Sequence, residues 1–137
     1  MACSKDKGLA TNALRSSWTE ALKAGLELAC IAQNTAVIET GRRLVRAMFY
    51  PCCLQNRPWS YGGWVEENIL ACAREYLDLK NDPWAYRRFL ELLDTVSFLE
   101  DVSRQTILLG LEQDAHEEVQ ETAVEWKALV PWFEEKT

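Results

Sequence analysis

The sequence predicts an all-α protein of about six helices, arranged as three antiparallel helical hairpins. Three observations carry this reading. Apolar residues recur at i, i+3, i+4 and i+7 in one segment after another. Helix-start signals stand before several of those segments, at Ser17, Asp82, Ser97 and Asp114. The connections inside each expected pair are only a few residues long, which turns the second helix back along the first.

Taken in order, residues 1–16 read as a mobile tail. Ser17-Trp-Thr-Glu20 is a capping box that opens a helix over 17–33, with Trp18, Leu22, Leu26, Ala29 and Cys30 inward. Asn34-Thr35 separates it from a helix over 36–49. There Val37, Ile38, Gly41, Leu44, Val45, Met48 and Phe49 fill the apolar arc. Arg42, Arg43 and Arg46 share the opposite arc, with Glu39 placed to pair with the first two. Pro51 ends this helix.

Residues 51–63, PCCLQNRPWSYGG, form the one long loop, because two prolines and Gly62-Gly63 break any periodicity. Loops of this length in small domains are often functional. This one holds Trp59, Tyr61 and Arg57, residue types enriched at binding hot spots.

A helix over 64–79 follows, with Val65, Ile69, Cys72, Ala73 and Tyr76 on one face. Asp82 is the expected N-cap of the next, with Pro83 at its first position, where a missing N–H costs nothing. Tyr86, Phe89, Leu90 and Leu93 make its apolar face over 83–95. Leu92 and Val96 widen that face, so this helix is covered on more than one side. Arg87 and Glu91 lie four apart on its polar side.

Ser97-Phe-Leu-Glu100 is a capping box for a helix over 98–112, apolar nearly all round at Ile107–Leu111. Asp114-Ala-His-Glu117 opens the last helix over 115–130 by the same logic. Val119, Ala123, Trp126 and Val130 form its narrow apolar stripe, and Glu117, Glu121 and Glu125 line the other side. Pro131 stops it.

The second and third pairs match at an offset of 32: Leu70, Tyr76, Leu77, Leu79 and Asp82 correspond to Val102, Leu108, Leu109, Leu111 and Asp114. A helix ending in Leu, an Asp-capped turn and a second helix resemble HEAT or armadillo-type repeats. Asp82-Pro83-Trp84-Ala85-Tyr86-Arg87-Arg88-Phe89 resembles the turn and inner helix of a HEAT unit, and residues 114–123 are a looser copy. The resemblance covers residues 64–130. The 51–63 segment departs from its spacing, and the two copies need a one-residue shift to align their inner helices. It implies a right-handed stack of hairpins that binds another macromolecule, usually a protein. A compact six-helix bundle is the alternative architecture.

Length and composition fit a single domain over 1–137 that needs no disulfide or metal to hold it. No apolar run approaches the roughly 18 residues of a membrane span, and the first residues lack the apolar core of a signal peptide. A cytoplasmic location is the expectation. The net charge of −6 is uneven: residues 110–137 hold eight acidic and two basic side chains, while the rest is balanced. A nucleic-acid-binding surface needs the opposite sign.

No catalytic constellation stands out. His116 sits in a capping turn beside acidic residues, with no nucleophile tied to it. Cys3, Cys30, Cys52, Cys53 and Cys72 form no C-x-x-C pair, and Cys30 and Cys72 read as small core residues. No glycine-rich phosphate loop or zinc-protease box occurs. The expectation is a non-enzymatic chain with no cofactor and no metal. Its leading function is that of a small protein-binding domain that occupies and neutralises a partner, in the manner of immunity proteins or phage inhibitors. An acidic helix face steers onto a basic partner. The expected partner-binding residues are Glu117, Glu121, Glu125, Trp59, Tyr61 and Trp84. A scaffold without inhibitory role and a ligand-binding or enzymatic bundle with a pocket under residues 51–63 are the alternatives.

Overall fold

The computed structural model describes residues 4–49, 64–96, 99–112 and 115–133, and every regular element among them is helical. Helix α1 (Ser4–Leu26) runs on into a π-helical turn, Glu27–Ile31. Then come α2 (Thr35–Met48), α3 (Trp64–Tyr76), α4 (Pro83–Thr95), α5 (Glu100–Gly110) and α6 (Glu117–Leu129), with a 3-10 turn at Pro131–Phe133. The all-α expectation holds. The expected loop at 51–63, with Trp59, Tyr61 and Cys52-Cys53, lies outside the described residues, as do Ser97, Phe98 and Asp114.

Three starts differ from the sequence reading. The first helix begins at Ser4, so residues 4–16, expected as tail, are helical. The run Leu9-Ala-Thr-Asn-Ala-Leu-Arg15 contains good helix formers and no proline, and a capping box cannot stop a helix already running. Helix α5 begins at Glu100, after a Leu99 cap whose side chain makes no capping bond. Helix α6 begins at Glu117, and its cap is His116, whose Nδ1 accepts from the Glu118 N–H at 3.2 Å. Two other caps work as local chemistry dictates. Asp82 Oδ1 accepts from the N–H groups of Trp84 (3.1 Å) and Ala85 (3.2 Å). Asn34 Oδ1 accepts from Ala36 at 2.8 Å.

The packing alternates along the chain. Helix α1 lies against α2, and α5 against α6, as the hairpin reading expects. Beyond these pairs, α1 packs on α3 and α3 on α5, while α2 packs on α4 and α4 on α6. The middle pair differs: α3 and α4 share a turn but little backbone contact, and each packs on its second neighbours instead. The first pair is drawn very close at Gly41, where an added Cβ would collide with the backbone of Leu28 and Ala29 in the π turn.

Helix α4 is central. Tyr86, Phe89, Leu90, Leu92 and Leu93 are all buried, and the helix touches the π turn, α2, α5 and α6. Its polar side does not carry the expected Arg87–Glu91 pair. Glu91 is instead taken by Arg42 at 2.6 Å and Arg88 at 3.5 Å, both geometrically better placed.

The positions matched at an offset of 32 agree only in part, since Leu77 and Leu79 are buried while Leu109 and Leu111 are half-buried. Leu70 and Val102 are buried, whereas Tyr76 (38%) and Leu108 (45%) are exposed. Both exposures depart from the sequence reading, which placed Tyr76 on the inner face and Leu108 in an all-round apolar turn. The two turns are tied to each other. The His116 N–H donates to the Lys80 carbonyl at 3.0 Å, and Lys80 Nζ meets Glu112 Oε2 at 2.7 Å.

Candidate protein-binding groove

The packing of α4 beside α6 leaves a groove between their first turns, with a volume of about 460 Å³. Asp82, Pro83, Trp84 and Arg87 line it from α4 and its cap. Glu118, Glu121, Thr122 and Glu125 line it from α6. Both walls are set by local sequence. The Asp82 cap and Pro83 fix where α4 starts, which puts Trp84 in its first turn. The His116 cap fixes the start of α6 and so the direction in which its glutamates point.

The i, i+3, i+4, i+7 spacing places Glu118, Glu121, Thr122 and Glu125 on one face. Thr122 is buried at its base, its hydroxyl donating to the Glu118 carbonyl at 2.9 Å. The walls present four carboxylates against one guanidinium. Among the described residues none of Glu117, Glu118, Glu121 and Glu125 takes part in an ion pair. Their field is therefore directed outward, unlike that of Glu91, which is neutralised by two arginines.

Trp84 is 47% exposed at the edge of this groove. It is not loose. The Arg88 guanidinium carbon lies 4.3 Å from the ring centroid, a cation–π stack that sets the plane of the indole. Glu91 in turn holds Arg88. A large aromatic half open to solvent, backed by its own helix, is pre-organised for contact with another surface.

Of the residues expected from the sequence, Trp84, Glu121 and Glu125 come together here. Glu117 does not line the groove; it is exposed in the first turn of α6, where a carboxylate favours the helix dipole. Trp59 and Tyr61 lie outside the described residues. Asp82 and Glu118 also line the groove but are not among the expected residues, because Asp82 reads as a cap and Glu118 lies beside the Glu117, Glu121, Glu125 series rather than in it. Helical spacing from Glu121 and Glu125 was the signal that could have found Glu118.

A second acidic groove, of about 530 Å³, lies between α3 and α5, lined by Glu66, Glu67 and Asp101 with Arg74. Asp101 is held by Arg104 at 3.3 Å, and among the described residues no aromatic side chain lines this groove. Glu66 and Glu67 are also outside any ion pair among the described residues, so this groove differs from the first in having fewer free carboxylates and no aromatic anchor among them.

Other chemistry is sparse. Burial pushes the Cys30 thiol up to about 12, so it stays protonated and unreactive. Among the described residues no group of three or more His, Cys, Asp or Glu side chains is arranged to hold a metal ion. No helix among them is long and apolar enough to cross a membrane. No family model, curated protein or solved structure matches the chain.

Proposed function

We propose that this chain is a protein-binding domain that docks a basic surface of a partner in the groove between α4 and α6 and neutralises that surface by covering it. The observation that carries the reading is the conjunction of Glu118, Glu121 and Glu125, free of ion pairs among the described residues, with the half-exposed, arginine-backed Trp84. The unpaired carboxylates raise the encounter rate with a positive surface. The indole supplies desolvated contact area of the kind found at hot spots. The same groove could not serve a nucleic acid, whose phosphates these carboxylates repel.

The test is a comparative capture from native host lysate at low salt. Wild-type protein is set beside a variant carrying Glu118→Lys, Glu121→Lys and Glu125→Lys. A basic protein retained by the first, absent from the second and released by a moderate salt step supports the reading. Its activity is then assayed with and without the domain; suppression assigns the neutralising role. Retention of the same proteins by both forms, unaffected by salt, contradicts the acidic-groove model and favours a scaffold that binds by other contacts.

A further inference from the structure

A second cleft, of about 540 Å³, shares Asp82 and Trp84 with the acidic groove. Its other lining residues are Cys30, Ile31 and Gln33, from the π turn that ends α1 and the segment after it. Ile31 is 46% exposed, nearly the same as Trp84. Two large apolar side chains from distant parts of the sequence therefore stand open at one cleft. Cys30 is fully buried against it. Among the described residues lining the cleft only Asp82 is charged, with the same sign as the groove.

We infer that the partner segment is of mixed chemistry, with basic side chains in the acidic groove and one apolar side chain seated between Ile31 and Trp84. This rests on the groove reading above and specifies its ligand. The two depressions share two lining residues, so a single extended or helical segment crossing Asp82 and Trp84 enters both. The carboxylates select positive charge in that segment. Beside the Gln33 amide, the Asp82 carboxylate and the indole N–H, the cleft presents the Ile31 and Trp84 side chains, and what those two reward is apolar area removed from water. The Arg88 stack and the packing of the π turn against α2 and α4 hold both walls in place before binding, which keeps the ordering cost low. Specificity then has two components: charge sets which surfaces approach, and the apolar seat sets which of them stay.

The test uses synthetic peptides. One is a run of lysines with a serine inserted at its centre; the other has leucine at that place. Binding is measured by titration calorimetry at low salt. The leucine peptide is expected to bind about tenfold more tightly, the equivalent of one side chain largely buried. Ile31→Ser, which lies outside the acidic groove, should erase that difference and leave the serine peptide bound as before, with helix content unchanged by circular dichroism; Trp84→Ala, which removes a wall of both depressions, should erase the difference and weaken both peptides. Equal binding of the two peptides to wild type overturns the apolar seat while leaving the acidic groove standing. Binding of neither peptide overturns the groove reading itself, and this inference with it. Equal binding together with a dimer that Trp84→Ala dissolves overturns the inference and gives the cleft to a second copy of the chain.

Discussion

Tyr86 lies across Gly110. The phenol is fully buried, its hydroxyl donates to the Thr106 carbonyl at 3.1 Å, and a Cβ at Gly110 would run into the ring and the hydroxyl. The absence of a side chain at residue 110 is what lets α4 and α5 close on each other with α6 over them. Gly110→Ala should therefore destabilise the fold by about 1–3 kcal/mol in urea unfolding, although alanine is the better helix former by about 1 kcal/mol. A stabilised variant would show that Tyr86 is not fixed in this position.

Asp82 both caps α4 and lines the groove, and substitution can separate the two. Asparagine caps a helix as well as aspartate, whereas alanine does not. Asp82→Ala should cost about 1 kcal/mol of stability, read from the denaturation midpoint. Asp82→Asn should leave that midpoint nearly unchanged and weaken binding of a lysine-rich peptide, because one of the four groove carboxylates is gone. Unaltered peptide binding by Asp82→Asn would place Asp82 outside the recognition surface.

The core titrates at alkaline pH. Burial raises the Cys30 thiol from 9.0 to about 12, and burial raises the Tyr86 phenol as well. For both groups the folded chain keeps a proton that the unfolded chain has lost. Stability is therefore full below about pH 9 and falls as the pH climbs from there toward 12. Thermal midpoints measured across this window should decline, and Cys30→Ala should flatten part of the decline. The same burial predicts that a thiol reagent at neutral pH leaves Cys30 unlabelled until the chain unfolds.

What the sequence made legible was local, and what it hid was long-range. The Asp82-Pro83 start, the Asn34 boundary and the apolar face of 83–95 all rest on neighbours within a turn or two, and each is found as expected. The Ser17 box misled because propensity upstream of it extends the helix to Ser4. Trp84, Glu121 and Glu125 could be named from their polar-face positions. That they share one groove depends on α4 packing against α6, a contact between segments far apart in sequence. Ile31 carried no signal, since periodicity reports buried faces and an exposed isoleucine off that spacing belongs to none.

Amide chemical-shift mapping of the wild-type protein, titrated with the leucine-bearing lysine peptide at low salt, tests the central claim most directly. The account predicts shifts concentrated at Asp82, Trp84 and Arg87 and along Glu118–Glu125, with the Trp84 indole N–H among the largest, and their disappearance as salt is raised. Shifts centred instead on Glu66, Glu67 and Asp101, or spread evenly over the acidic surface, would contradict it.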